Sequence, residues 1–212
     1  MPIIGRYIVR RMARLSQGDI YRNVTIVEGE YPDNLDQTLF AYSVLLSQDC
    51  DLQQDWDANL ELMKLTSTDI KERRKLEDKL LRHLILAPCY VAEAFKDGIH
   101  IKERYMQTWN TKEMEKQIKA NKHIRYHFLP SEPGLQEQNL VVDFKHYFSI
   151  QRDQFYELAK RRGKFEYVCS IAVLYREALS KRFGDYLSRI GFPNGDELMS
   201  STKIFKEPGS DA

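Results

Sequence analysis

The amino-acid sequence predicts an α+β protein of one domain, built around a small, curled, antiparallel β-barrel. Two observations lead to this fold class. Short apolar or β-branched segments are separated by turn residues, and the helical segments do not alternate with them regularly. A doubly wound parallel sheet would require such alternation. We expect the domain to cover residues 1–195, followed by a polar, frayed tail over residues 196–212.

Five segments are predicted as strands of one sheet because each is too apolar to be a solvated loop. They are residues 19–28, 39–47, 84–91, 123–129 and 140–148. Pro88 lies inside the third segment and predicts an edge position or a bulge, since proline cannot donate a ladder hydrogen bond. In the fourth segment, strand alternation predicts that Arg125 and His127 share one face, with Tyr126 on the other.

Helices are predicted where apolar residues recur at helical spacing or where capping residues precede a charged segment. The ranges are 67–83 and 111–121, which belong to a helical insertion of about residues 60–122, and 151–161. A C-terminal amphipathic helix over residues 171–190 is the clearest, because its apolar residues keep the 3.6-residue spacing over about five turns. We expect its apolar face to pack against the barrel. Residues 165–170 are predicted as one more strand or as the start of that helix.

The charge balance argues against electrostatic attraction as the basis of function. Lys and Arg total 32 and Asp and Glu total 31, so any nucleic-acid site must be a local patch. The first residues carry arginines through an apolar run that is too short for a signal peptide or a membrane span. The three cysteines are widely spaced and outside any CxxC motif, which fits a reducing compartment. We therefore expect a cytoplasmic protein that does not contact membranes.

The N-terminal pattern carries a resemblance to a known family. The segment GDIYRNVTIV (residues 18–27), a loop and then FAYSVLLSQDCDL (residues 40–52) resemble the start of the MazF/PemK toxin endoribonucleases, over about thirty residues. In that family a Gly-Asp-apolar strand is followed by an apolar strand ending in Ser. The resemblance implies an SH3-like barrel of the PemK type and an RNA-directed activity. The family's Arg-Pro pair before the second strand is replaced by Phe40-Ala41-Tyr42, which removes a residue suited to neutralise a scissile phosphate.

The segment SQDCD (residues 47–51) is the first candidate site, since it emerges at the end of a buried strand. Neighbouring carboxylates disfavour a Cys50 thiolate, so a nucleophilic role requires a base or a cation from elsewhere. We predict Cys50, Asp51, Arg125 and His127 as catalytic, with His127 taking the thiol proton and Arg125 stabilising an anion. In the alternative interpretation, Cys50 is a small buried hydrophobe and His127 is hydrogen-bonded to the backbone.

A second candidate site combines basic and aromatic residues on adjacent predicted strands. Arg125, Tyr126, Lys145 and His146 are predicted to contact nucleic acid, because single strands bind to aromatic side chains in basic grooves. The same mixture is also typical of an exposed sheet face.

Four aspartates within nine residues raise the question of a metal: Asp49, Asp51, Asp55 and Asp57. Gln53 and Gln54 occupy positions where a calcium loop needs an oxygen ligand and a glycine. The sequence also lacks a paired CxxC or an HExxH motif. An acidic solvated loop is the simpler interpretation, and neither a metal nor another cofactor is predicted.

Two functions follow from these patterns, and whether the protein is an enzyme stays open. In the first, a barrel protein binds or acts on RNA where the SQDCD segment meets the strand that contains His127. In the second, a non-catalytic module of a toxin–antitoxin, defence or regulatory system holds a protein partner or a second copy of the chain. A concave pocket that joins Cys50 to His127 and Arg125 would favour the first function, and a flat apolar surface would favour the second.

Overall fold

A computed structural model describes residues 5–9, 14–30, 34–65, 70–100, 111–134, 136–161 and 163–189. The described residues form an α+β fold with one eight-stranded sheet and six α-helices. All the strand pairs in this part of the chain are antiparallel. The predicted tail over 196–212 lies outside the described residues. None of the described helices is long and apolar enough to cross a membrane.

The sheet runs in the order β1-β8-β2-β3-β4-β6-β5, and β7 pairs with β4. The strands are β1 Tyr7–Ile8, β2 Asp19–Glu30, β3 Asn34–Leu45, β4 His83–Val91, β5 Tyr126–Leu129, β6 Leu140–Asp143, β7 Phe148–Gln151 and β8 Glu166–Ile171. The helices are α1 Asp49–Lys64, α2 Ile70–Asp78, α3 Ala92–Lys96, α4 Lys112–Lys119, α5 Arg152–Ala159 and α6 Val173–Leu187. All five predicted strand segments contain strands, and residues 166–170 of the segment 165–170 belong to β8 rather than to the last helix.

All three helices predicted before the C-terminal one are shorter in the structure, and the one predicted over 151–161 covers Arg152–Ala159. The helix predicted over 67–83 covers Ile70–Asp78, and its predicted start lies outside the described residues. The helix predicted over 111–121 covers Lys112–Lys119, and Thr111 caps it by accepting a hydrogen bond from the Met114 backbone N–H (3.1 Å). The helical insertion begins earlier than predicted, because α1 already starts at Asp49.

Pro88 explains why the predicted strand 140–148 is broken. Residues 83–86 of β4 pair with β7 and residues 89–91 pair with β6, so Pro88 lies between the two partners. The Ile85 carbonyl accepts from Leu46 N (2.8 Å), so odd-numbered backbone groups of β4 face β3 and Pro88 faces the opposite edge. Proline offers no N–H there. On that edge the chain makes a 3₁₀ turn over Phe144–His146, and the prediction of one continuous strand was wrong.

The side chains of the sheet divide into two apolar cores. One core contains Leu179 and Phe183 of α6, packed against Ile20, Val44 and Phe144. The other core receives buried residues of α1, α3, α4 and α5, which are Leu52, Ala92, Phe95, Ile118 and Phe155. The sheet therefore separates α6 from the other helices that contribute to the cores.

Asn23 redirects β2 from one core to the other. Ile20 packs in the α6 core, whereas Val24, four residues later, packs in the opposite core. Strict alternation would place both on one face. Asn23 lies between them in the left-handed region, with φ 58°, a conformation that asparagine tolerates better than most residues. Beyond it the β2–β3 hairpin curls over the sheet, so that the Phe40 ring stacks on Phe148 at 5.3 Å between centroids.

The sheet is curled but not closed into the predicted barrel. Its two edges are β1 and β5, and no strand ladder in the described part of the chain joins them. Side chains bridge the ends instead. Tyr7 Oη donates to the Pro130 carbonyl (2.7 Å), and the Arg6 backbone N–H donates to Glu132 Oε2 (2.9 Å). The curl therefore brings the two ends of the sheet within side-chain reach of each other.

The C-terminal helix packs through a narrower apolar face than its sequence predicts. Leu179 and Phe183 are buried, and the ring of Tyr186 packs beside them. Leu174 and Leu187 belong to the predicted stripe but are 70% and 52% exposed. The packing prediction is confirmed for the middle of the helix, while part of its apolar surface faces outward.

Replacement of Leu179 by Ala should lower the free energy of unfolding by about 2–5 kcal/mol, because the side chain is fully buried in the α6 core. The matched control is Leu174→Ala on the same helix, which should change this free energy by less than about 0.5 kcal/mol. Urea titrations followed by circular dichroism give both values. Equal effects of the two substitutions would contradict the packing of α6.

Asn23→Ala should destabilise the protein by about 1–2 kcal/mol. At the positive φ of this position the Cβ of alanine is strained, and alanine lacks the short polar side chain that lets asparagine adopt this conformation. Asn23→Gly should leave the free energy of unfolding within about 0.5 kcal/mol, since glycine adopts this conformation readily. The same urea titration compares the two variants. An Ala variant as stable as the Gly variant would show that φ at this position does not control the curl.

Candidate functional site

The SQDCD segment begins a helix instead of forming the predicted loop. Asp49 and Asp51 lie in the first turn of α1, where the helix dipole favours negative charge. Ser47 extends the sheet before the helix, because its hydroxyl accepts a hydrogen bond from the Ile85 backbone N–H (2.8 Å). Acidic residues followed by a long segment without Gly or Pro are a helix-start signal that the loop prediction missed.

Asp49 ties the start of α1 to two distant arginines. Its Oδ1 lies 3.4 Å from Nη1 of Arg14 and 3.4 Å from Nη1 of Arg176 on α6, and it accepts from the Gln17 backbone N–H (3.3 Å). Burial alone would raise the pKa of this carboxyl, but the two guanidinium groups outweigh it and hold the pKa below its ordinary value. Asp49 therefore connects the start of α1 to α6 and to the segment that precedes β2.

Cys50 and Asp51 are exposed and face each other. The Cys50 thiol lies 3.6 Å from Asp51 Oδ1 and 3.6 Å from Gln48 Oε1, both hydrogen-bond acceptors. Among the contacts of the described residues, none joins either side chain to Arg125 or His127. No described contact therefore assembles the predicted catalytic group, and the exposed position of Cys50 overturns its interpretation as a buried hydrophobe.

A buried carboxylate gathers three of the predicted functional residues at the end of β6. Asp143 is fully buried, and its two oxygens accept from Arg125 Nε (2.8 Å) and Arg125 Nη2 (2.7 Å). His146 Nδ1 lies 2.7 Å from Asp143 Oδ2, and the Lys145 backbone N–H donates to Oδ1 (3.0 Å). The 3₁₀ turn after β6 therefore folds back onto the carboxylate and carries His146 beside Arg125.

The Asp143 carboxylate is charged in this setting. Burial would raise its pKa, but the hydrogen bonds from Arg125 and His146 and the Arg125 charge outweigh burial and lower the pKa. Desolvation likewise disfavours the charged Arg125, yet the bonds to Asp143 raise the pKa of its guanidinium. Since the His146 ring binds Asp143 through Nδ1, Nε2 is the ring nitrogen oriented toward other partners.

Contrary to the prediction, Arg125 does not share a strand face with His127. It lies in the bend before β5, which begins at Tyr126, so strand alternation does not extend to it. Its guanidinium sits 4.7 Å from the centroid of the Tyr126 ring. Tyr126 is only 1% exposed, so its ring packs against the Arg125 guanidinium inside the protein. The prediction that this ring contacts nucleic acid was therefore wrong.

Two further tyrosines extend the surface around Arg125. Tyr147 follows His146, is 45% exposed and contacts the Phe183 ring edge to face. Tyr186 of α6 packs near Phe144 with 6.0 Å between ring centroids, and Arg189 lies 4.0 Å over the Tyr186 ring. We name the group formed by Arg125, Lys145, His146, Tyr147, Tyr186 and Arg189 the basic–aromatic surface.

His127 points to the other side of β5. It is 5% exposed, its ring lies 6.3 Å from that of Phe144, and its Nδ1 has no hydrogen-bond partner among the described residues. Burial, with a smaller effect of the Arg182 charge, lowers the pKa of the imidazole to about 3. The ring is therefore neutral near pH 7, and its Nδ1 does not make the hydrogen bond to the backbone that the alternative interpretation expected of His127.

Several functional candidates were missed from the sequence. Asp143 follows two valines in a buried strand, and a lone carboxylate in such a run is a signal for a required partner. Tyr186 lies in the last turn of α6, and Arg189 follows just beyond the end of the helix, where its Nε donates to the Tyr186 carbonyl (2.9 Å). The proximity of Tyr186 to Arg125 depends on tertiary packing and leaves no sequence signal.

The described residues contain no metal site, and no known protein that matches the chain indicates its function. In the ranges that the structure describes, no three His, Cys, Asp or Glu side chains converge as a metal site requires. Protein-family models, curated protein sequences and solved structures were compared with the chain, and none matches it.

His127 should make the protein less stable in mild acid. The unfolded chain takes up a proton below about pH 6.5, whereas the folded imidazole stays neutral until about pH 3. This difference lowers the free energy of unfolding by about 2 kcal/mol between pH 7.5 and pH 5. His127→Leu should lose about 2 kcal/mol less over that interval in urea titrations. An identical pH dependence in both proteins would show that His127 takes up its proton as readily in the folded protein as in the unfolded chain.

Proposed function

We propose that the protein binds single-stranded RNA on the basic–aromatic surface. The observation that carries this proposal is the Asp143 carboxylate, which holds Arg125 and His146 side by side next to an exposed tyrosine. Groups fixed in this way lose little conformational freedom when they bind a phosphate. Single-stranded RNA combines phosphates with unstacked bases, and both find partners on this surface.

The chemistry of the surface fits a nucleic-acid strand better than a generic anion. Lys145 is exposed, and Arg189 is held over Tyr186, so cationic groups flank the aromatic rings. Base–aromatic stacking tolerates any sequence because every base has a π-face. The whole chain carries a net charge of only +1, so the attraction is confined to this patch.

The choice of RNA over DNA, and a cytoplasmic location, extend the same proposal. The N-terminal resemblance to toxin endoribonucleases supports RNA, and the Tyr7–Pro130 hydrogen bond between the two ends of the curled sheet fits an open, SH3-like arrangement of the strands. All three cysteines are free thiols, which suits the cytoplasm. Cleavage is not part of the proposal, because Cys50 and His127 have no described contact with each other.

The second candidate function is a protein-interaction module. The start of α6 favours it, since Val173 and Leu174 are 55% and 70% exposed although both are apolar. A protein partner or a second copy of the chain would cover this end of the helix. The RNA proposal is preferred because its surface is held by specific hydrogen bonds, whereas exposed apolar residues occur on many monomers.

Tyr147→Ala should weaken binding of a fluorescein-labelled, mixed-sequence single-stranded RNA by roughly 5- to 150-fold, because each base–aromatic stack contributes about 1–3 kcal/mol. Lys145→Ala should weaken binding less and reduce the slope of log K against log salt by about 0.7, the loss of one phosphate contact. Fluorescence anisotropy across a salt series measures both effects.

The matched control for Lys145 is Lys79→Ala, another exposed lysine, which lies after α2 and far along the chain from the surface. It should leave RNA affinity and salt slope unchanged. Circular dichroism must show that Tyr147→Ala remains folded, since its ring contacts Phe183. Wild-type protein that does not bind RNA, or equal losses in Lys79→Ala and Lys145→Ala, would overturn the proposal. Shortening of the RNA on a denaturing gel would add a cleavage activity to it.

A further inference from the structure

A cleft of about 410 Å³ lies where the two ends of the curled sheet approach each other. Tyr7 of β1 lines one side, Phe128 and Leu129 of β5 line the other, and Tyr175 and Ala178 of α6 contribute a third wall. This volume falls within the range of small-molecule sites. The lining is mainly apolar and aromatic, which favours a ligand with a flat, largely apolar body.

His127 provides a polar group that the fold does not use. It lines the cleft, it is 5% exposed, and its Nδ1 has no hydrogen-bond partner among the described residues. Buried polar groups are almost always hydrogen-bonded, and an unmade bond is costly. A neutral imidazole offers one donor and one acceptor. A ligand that presents a hydrogen-bonding edge at this point would remove the cost.

The charged groups at the rim favour an anionic substituent. Arg6 lines the cleft, and its guanidinium lies 5.7 Å from the centroid of the Tyr175 ring. The nearby Glu132 carboxylate accepts from the Arg6 backbone N–H (2.9 Å). Lys119 also lines the cleft but binds Glu115 at 2.6 Å. Arg6 is therefore the rim cation best placed to meet an anion beside an aromatic wall.

A peptide strand is a poor occupant, because the outer edge of β5 is already closed. Asn121 accepts from Phe128 N (2.6 Å) through Oδ1 and donates to Phe128 O (3.1 Å) through Nδ2. Arg182 Nη2 donates to the Tyr126 carbonyl (2.9 Å). An added strand would have to displace these bonds before it could pair. The chemistry of the cleft thus selects a small molecule.

We propose that this cleft binds a nucleoside monophosphate, with the base edge hydrogen-bonded to His127, the base against the aromatic walls and the phosphate on Arg6. A nucleobase is flat and presents adjacent donors and acceptors, which match a neutral imidazole. A guanidinium binds a phosphate group through charge-assisted hydrogen bonds. This site lies on the side of β5 opposite to the Arg125–Asp143 cluster, and the inference does not rest on RNA binding there.

Isothermal titration calorimetry of the full chain with AMP, GMP, CMP and UMP tests the proposal. At least one nucleotide should bind with a micromolar to millimolar Kd, and its nucleoside should bind about tenfold more weakly. Arg6→Gln should weaken the nucleotide about tenfold and leave the nucleoside unchanged, because only the nucleotide contacts Arg6 with a phosphate. His127→Leu, which is close in size, should weaken nucleotide and nucleoside alike by at least tenfold.

Lys79→Ala serves as the control and should bind the nucleotide as the wild type does. If circular dichroism shows that the His127→Leu variant is unfolded, the nucleotide and nucleoside affinities of Arg6→Gln alone test the proposal. Three results overturn the proposal: no nucleotide binds the wild type at millimolar concentration, Arg6→Gln fails to discriminate nucleotide from nucleoside, or 4-hydroxybenzoate binds at least as tightly as the nucleotides. RNA binding measured on the same preparations separates the two sites, since each has its own variants.

Discussion

The candidate RNA surface depends on one buried carboxylate. Asp143 has no access to water, so its charge must be matched by donors from the protein. Arg125 supplies two hydrogen bonds from the bend before β5, and His146 supplies a third from the 3₁₀ turn. The two side chains are thereby held side by side by one buried carboxylate. A surface built in this way can meet a phosphate without first ordering its own side chains.

The positions of the strands could be predicted because burial of both sheet faces leaves long apolar runs in the sequence. Their partners could not, since pairing is set by register and by local exceptions. Asn23 redirects β2, and Pro88 separates the partners of β4, so one predicted strand became β6, a turn and β7. Pro88 was predicted to mark an edge position or a bulge, but β4 is an inner strand, and the proline without an N–H lies between the segments that pair with β7 and β6.

At the candidate site, too, the types of residue could be predicted from the sequence, whereas their arrangement in space could not. Arg125, Lys145 and His146 could be found because basic residues recur beside aromatics on neighbouring segments. Asp143 joins two of them only because β5 and β6 pair with Tyr126 opposite Asp143, a register that the sequence does not reveal. Proximity along the chain also misled the prediction at Cys50, where the acidic residues serve the start of a helix and an interaction with two arginines.

Asn121 has a consequence for how the molecule behaves in a crowded cell. An exposed strand edge invites pairing with other chains, and such pairing can continue into aggregates. The carboxamide of Asn121 imitates the backbone of a neighbouring strand, with one acceptor and one donor aligned on Phe128. Arg182 occupies the adjacent Tyr126 carbonyl. These two side chains thus occupy backbone groups of β5 that another chain would need for strand pairing, and they protect this edge of the sheet without an additional strand.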